Sequence, residues 1–529
     1  MRCPPARLLA MKRHSSVSNM TDFQDPYREL LAIAKRLSVI RTAGGILQWD
    51  LETKMPPRGI QQRAEQLALL DVLAHQTIAS DRVAKLLDTL TGERSLASMN
   101  EAERRNVHLM KKAYDEEAAL PEALVEAISK QSAVTVDQWK RAKAARDFSL
   151  YRPELERMLQ LRKESAAILR DAKGTGSDYD ALLDIFEPGM PADRISSVFD
   201  EMRDGLVGII DRAASSGTRP DLSILSRRVP VEMQRDISSA AMSFIGYRTE
   251  GQDAAGRLDE TEHPFTLGYY DDVRITTHYY EDRFMSSLFS VMHEGGHALY
   301  EEALPREWIH QPIGNPCSYG IHESQSRFVE NMIGRSPEFL SHMLPRLRAM
   351  TGAALDGVSE SDFVLAVNAV VPSKIRIEAD EVTYGLHIII RFELEREIMA
   401  GQLSVDELPQ AWNERYSKYL GVEVRDDAEG VMQDTHWAGG SLGYFPSYAL
   451  GNLYGGMFLR QMDRDVPDWR SSIANGEFAP VSTWLAESVH SKGNMYDPAD
   501  LVKAVTGEAL QVGPFISYLD GKIGAIYGY

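Results

Sequence analysis

Cysteine is almost absent from this sequence: Cys3 and Cys317 are the only two in 529 residues. Two thiols so far apart exclude the disulfide framework of a small secreted domain and favour a reducing compartment, the cytoplasm. Long apolar runs are missing as well. Residues 363–371 and 386–392 are the longest, both are interrupted by polar side chains, and both fall far short of the ~20 residues that span a bilayer. No block of Lys and Arg occurs, and the formal net charge is -19. Nucleic acid and anionic membrane surfaces would have to bind against that field, so neither is expected as a partner. Apolar content is not scarce: 43% hydrophobic residues suffice for a large core, in one multi-lobed unit or a few domains.

The first residues stand apart from the rest. Arg2, Arg7, Lys12 and Arg13 come with no acid before residue 20, beside a short apolar patch at Leu8–Met11. A targeting peptide is the alternative reading, against which the patch is too short for a secretory core. Residues 1–24 are therefore read as an N-terminal extension, disordered or upstream of a true start at Met11 or Met20. From Pro26 to about Arg170 apolar residues recur every three or four positions, as in Leu30, Ile33, Leu37 and in Leu67, Leu70, Val72, Leu73, which predicts successive amphipathic helices. Pro56-Pro57, Leu120-Pro121 and residues 174–177 are the predicted breaks. Residues 266–280 differ: β-branched and aromatic residues flank Asp271-Asp272, a hairpin pattern. A helix follows over about 281–303, ended by Pro305, and a second over about 322–333. The expected division is a helical lobe over 25–235 and a metal-binding lobe over 236–529, forming one continuous unit.

Within the first of those helices lies His293-Glu294-Gly295-Gly296-His297. Spacing of four sets both imidazoles on one helical face, where a single cation can bridge them, and Glu294 on a neighbouring sector within reach of a water. Hydrolytic zinc sites keep three protein ligands and one open position. Glu323, at the start of the next helix, is the chosen third ligand, with His310 and His322 as competitors. Zinc is the expected metal, with cobalt or manganese also suited to imidazole and carboxylate donors. Such an ion lowers the pKa of its water from 15.7 towards ~7, leaving Glu294 to accept the water proton and pass it to the leaving amine. His436, Tyr444 and Tyr448 are candidate donors to the developing oxyanion.

These segments resemble the M32 family of metallocarboxypeptidases, the thermostable carboxypeptidase Taq type. His293–His297 and His322-Glu323-Ser324-Gln325 match its metal motifs, His263-Pro264-Phe265 its HPF motif, and residues 272–276 its DxRxT motif. Residues 375–380 match IRxxAD, 430–437 match GxxQDxHW, and Trp49-Asp50 with Thr53, Met55 and Pro56 resembles the N-terminal segment. The resemblance implies a mainly α, two-lobed, saddle-like fold with a deep groove and a small sheet beside the metal, a homodimer, and removal of C-terminal residues with broad specificity. It implies His293, His297 and Glu323 as metal ligands and Glu294 as general base. Arg376, His436 and Tyr448 would contact substrate, Tyr444 being equally compatible with the motif. His263 and Arg274 are further substrate candidates, although Arg274 beside acids also reads as a structural ion pair. Asp380 and Glu381 are candidates to support a ligating histidine, although acids on a helix surface are commoner, and Cys317 reads as a packed thiol. An endo-acting oligopeptidase and a helical binding or scaffold protein with a structural metal or none are the alternative readings. A free substrate C-terminus separates the first, and a fourth ligand with no use for Glu294 would mark the second.

Overall fold

The computed structural model describes residues 23–529, so Cys3, the alternative start methionines and nearly all of the 1–24 extension lie outside the described residues. The predicted helices are present. Helix α1 (Gln24–Thr53) buries Tyr27, Leu30, Ala34 and Leu37 on one stripe and stops ahead of Pro56-Pro57, which cannot donate to a further turn. Helix α2 (Ile60–Ile78) packs back on α1 but buries only Ile78. Its periodic Leu67, Leu70 and Leu73 are half-covered, and Val72 is exposed. Helix α3 (Glu101–Ala119) starts with a reciprocal capping box between Asn100 and Glu103 and ends before Leu120-Pro121. Buried apolar residues of α1, the end of α2, residues 83–90 and α3 form one small cluster, and those from Trp139 to Tyr527 form a single much larger one.

Helix α4 (Asp178–Phe186) begins on a Ser177 cap, after Gly174 has closed the preceding helix at φ +67. Three short strands follow: β1 (Gly256–Glu260), β2 (Thr266–Tyr269) and β3 (Asp272–Thr277). The hairpin is where the pattern predicts it, with Thr266 opposite Ile275 and Tyr269 opposite Asp272. Its two-residue turn is Tyr270-Asp271, one position earlier than expected, and Tyr270 takes the positive φ (+54) that such turns require. Strand β1 was not predicted. It lies parallel to β3 at the sheet edge, and its charged five residues carry no alternating apolar pattern.

The sheet leads directly into α5 (Phe284–Glu302), which buries most of its residues between Phe284 and Tyr300. Helix α6 (Tyr319–Arg327) begins three residues earlier than predicted, on a Ser318 cap, and continues as one π turn over Phe328–Ile333. Helices α7 (Tyr384–Met399) and α8 (Pro446–Asp465) complete the surroundings of the site. Among the described residues no helix is long and apolar enough to cross a membrane.

Candidate metal centre

Glycine lets three helices meet at the site. A Cβ on Gly296 would fall 2.6 Å from the Gln325 carbonyl on α6, and one on Gly295 would strike Ile245. On α8, a Cβ at Gly451 would sit 2.9 Å from the Glu323 side chain. Each mid-helix glycine costs about 1 kcal/mol relative to alanine, a cost offset here by the close packing that delivers Glu323 to the histidines. His293 Nε2 and His297 Nε2 lie 3.7 and 3.4 Å from Glu323 Oε2. One donor atom from each of the three residues falls within 4.8 Å of the others.

The outer faces of these candidate ligands are held too. Nδ1 of His293 is 2.9 Å from Glu330 Oε2 on the π turn, so it donates there and leaves Nε2 as a lone pair for a cation. Nδ1 of His297 meets Nδ1 of His322, whose Nε2 is 3.0 Å from Glu301 Oε1. Burial and then the neighbouring His322 push His297 down to about 3, keeping it a neutral imidazole. Burial opposes ionisation of Glu323, but Arg327 and the imidazoles outweigh it and hold this carboxyl below the usual range. Arg327 Nε donates to Glu323 Oε1 at 2.7 Å. Two imidazoles and an anionic carboxylate, each oriented from behind, fit a divalent cation with a position left open.

Glu294 stands beside this cluster without joining it. Thr266 at the start of β2 donates through Oγ1 to Glu294 Oε2 at 2.6 Å. Burial raises the Glu294 carboxyl above its ordinary value, with His293 and Thr266 opposing. Both face a cleft of about 720 Å³, lined by the three ligands and also by Phe186, Tyr444 and Tyr448.

The remaining predicted residues divide into two groups. Tyr448 and Tyr444 line the cleft, whereas Arg376 and His436 sit one layer behind it. His436 Nε2 is 3.2 Å from the Tyr448 hydroxyl, and the Arg376 guanidinium lies 5.2 Å from the Tyr448 ring centre. Arg376 is 8% exposed: Nε and Nη2 donate to Asp434 Oδ1 at 3.0 and 2.7 Å, and Nη1 to the Tyr384 hydroxyl. Arg391 of α7 pairs with the other oxygen of Asp434. By contrast His263 is exposed, with only its neighbours Pro264 and Phe265 on the cleft. Arg274 pairs with Asp272 at 2.7 and 2.9 Å and lies on Trp49 with Arg257 on the same ring, an arrangement that ties α1 to the sheet.

Of the competing ligands, His310 accepts a contact from Ser38 and stacks on Tyr269, and His322 supports His297 instead. Asp380 and Glu381 do not support a ligand histidine. Asp380 caps the backbone at Val382 and Thr383, and Glu381 pairs with Lys522. Glu330 instead stands behind His293. It lies seven positions after Glu323, two helical turns along the same face, which is the signal that could have found it. Cys317 is buried and free, as expected.

A largely helical protein with an HExxH helix, a glutamate ligand on the next helix and a cleft across both is built as a metallopeptidase. The comparisons are specific about which. Residues 29–523 match the family Carboxypeptidase Taq (M32) metallopeptidase, and the chain belongs to that family, whose members are peptide hydrolases of the metallocarboxypeptidase class. It is 42% identical over 509 residues to Thermostable carboxypeptidase 1 of Thermus thermophilus, covering 95% of this chain and 99% of that one. Carboxypeptidase 1 of Bacillus subtilis is 38% identical over 501 residues, covering 94% and 98%. The crystal structure of the M32 carboxypeptidase from Deinococcus radiodurans superposes with a TM-score of 0.90 at 33% identity, covering 96% of this chain and all of that one.

Proposed function

We propose that this metallocarboxypeptidase holds zinc on His293, His297 and Glu323 and uses Glu294 to move the reaction's proton. The observation that carries the reading is the Glu294 carboxylate, one residue after a ligand histidine, facing the cleft and fixed by Thr266. When bound, the ion supplies Lewis acidity that makes a water nucleophilic near neutral pH and polarises the scissile carbonyl. Glu294, its proton affinity raised by burial, takes the proton of the attacking water and delivers it to the departing amine. His436 donates from Nε2 to the Tyr448 oxygen, which leaves the Tyr448 proton to point at the developing oxyanion. Tyr444 shares that wall and is the other candidate.

Arg376 docks the terminal carboxylate of the peptide from behind Tyr448. Its support is charge alone: Asp434 offers one carboxylate to the two guanidiniums of Arg376 and Arg391, while the Arg376 fork itself is held by Asp434 and Tyr384. Substrates are then peptides with a free C-terminus and varied side chains. Cobalt or manganese in place of zinc, a homodimer and a cytoplasmic location complete the reading, the last two on the family resemblance and the scarcity of cysteine.

The test is metal analysis with activity. Chelation should abolish turnover and added zinc or cobalt restore it. Glu323→Ala should lower metal content after dialysis, and His310→Ala should not. Unchanged turnover in metal-free protein would overturn the assignment.

A further inference from the structure

A buried carboxylate outside every motif ties the substrate cleft to the metal helix. Glu187 follows the last residue of α4 and is 1% exposed. Its oxygens accept three hydrogen bonds from two other parts of the chain. Oε1 accepts from the Ser318 hydroxyl at 3.0 Å and from the Tyr454 hydroxyl of α8 at 2.7 Å, and Oε2 accepts from the Gly320 amide at 2.9 Å. No Lys, Arg or His among the described residues pairs with it. Ser318 is the cap of α6 and Gly320 lies in its first turn, so an acidic group here also complements the exposed amides of the helix start. The fit is tight: a Cβ on Gly320 would lie 2.5 Å from Glu187 Oε2.

Three positions beyond Gly320 comes Glu323, the third ligand. On the other side of Glu187, Ile185, Phe186 and Pro188 line the cleft, and the Phe186 ring packs edge-on against Tyr319 and Tyr444, at 5.4 and 5.0 Å between centres. One side chain therefore fixes both the first turn of the ligand helix and the opposite wall of the cleft. A carboxylate with no cation, buried enough to be pushed up to about 7, is an expensive choice where an apolar residue would fill the space.

We propose that Glu187 is a positioning residue that sets the start of α6, and through it the Glu323 ligand, against the cleft wall formed by residues 185–188. The inference rests on the metal site proposed above. Glu187→Ala removes all three acceptors and leaves the Gly320 amide and two hydroxyls without partners. Glu187→Gln keeps an oxygen for the amide, and the Ser318 and Tyr454 hydroxyls can turn to accept from the new NH2 group.

The experiment measures zinc affinity by competition with a chromophoric chelator, together with kcat, KM and thermal unfolding of the metal-free protein, for wild type, Glu187→Ala, Glu187→Gln and Tyr454→Phe. The expected result is zinc affinity ~10-fold weaker in Glu187→Ala, the low end of what support behind a ligand contributes. A fall in kcat should accompany it, with Glu187→Gln within about threefold of wild type and Tyr454→Phe between the two. A purely structural role would lower the melting temperature and leave the zinc affinity and kcat of the folded protein unchanged, and that result overturns the proposal. If Glu187→Ala does not fold, Tyr454→Phe decides: wild-type zinc affinity and kcat in that variant reject the idea. Failure of wild type itself to bind zinc would instead reject the metal site.

Discussion

The two sides of the cleft carry opposite electrical surpluses. Around the ligand helix, Glu294, Glu301, Glu323 and Glu330 gather, with Arg327 paired to Glu323 and Glu330 and Arg335 to Glu330. Behind Tyr448 the balance reverses, with Arg376 and Arg391 sharing the single carboxylate of Asp434. The acidic and basic regions touch through the Arg327–Tyr384–Arg376 contacts, which supports the proposal of a cation site and a carboxylate dock serving one peptide. A peptide hydrolase that reads a free C-terminus has use for both: acidic and imidazole donors where the carbonyl is attacked, and an excess of positive charge near the terminal carboxylate.

The largest expected effect breaks the chemistry on the acidic side alone. Glu294→Gln keeps shape and the Thr266 contact, so metal content should persist while kcat falls by ~10² or more. Loss of the metal would make Glu294 a ligand, and near-normal turnover would remove it as the base. On the basic side, Arg376→Ala should lower kcat/KM for free-acid peptides by ~30-fold or more, the effect of losing a partly desolvated charge-assisted contact, with metal content unchanged. An intact preference for free acids in that variant would assign docking to another residue. A smaller loss sharpens the acidic side: Glu330→Gln should weaken metal binding by roughly 10-fold through His293, measured by chelator competition, whereas unchanged affinity would mean that Glu330 does not orient the ligand.

The gentlest probe is pH. Burial opposes ionisation of Asp434, but Arg391 and Arg376 hold it well below the usual carboxylate range. A depressed folded-state pKa contributes stability that is fully present above the unfolded value of ~3.9 and is lost as pH falls through the folded one. Denaturant unfolding of wild type and Asp434→Asn should therefore differ most near neutral pH, with the gap narrowing below about pH 4. A gap independent of pH would show that the arginines do not act on Asp434 through its charge.

What could be read from the chain follows how local each signal is. His293, Glu294 and His297 lie within five residues of one helix, and the hairpin sits within a dozen, so periodicity and spacing were enough for both. Glu323 was reachable because the next helix starts soon after. Strand β1 escaped because a short, charged, parallel edge strand has no alternation to detect. Periodicity reports a face and not what covers it: among the described residues, α2 leaves Leu69 and Val72 more than half exposed. Glu330, not Asp380 or Glu381, stands behind His293: its spacing from Glu323 is legible in the sequence, but the packing that brings it to a histidine on another helix is not. Arg376 was placed by its motif, yet its burial behind Tyr448 and its pairing with Asp434 depend on contacts between residues 58 positions apart. Glu187 was invisible for the same reason: its partners are 131 to 267 positions away.

The central claim is that a cation site and a carboxylate dock act on one peptide, and matched peptides ending in a free acid or an amide test it most directly. For the zinc-loaded wild type, the account predicts release of single C-terminal residues from the acid and at least ~30-fold lower kcat/KM for the amide, with Arg376→Ala no longer distinguishing the two. Internal cleavage of the amide at a rate comparable to the acid would contradict it.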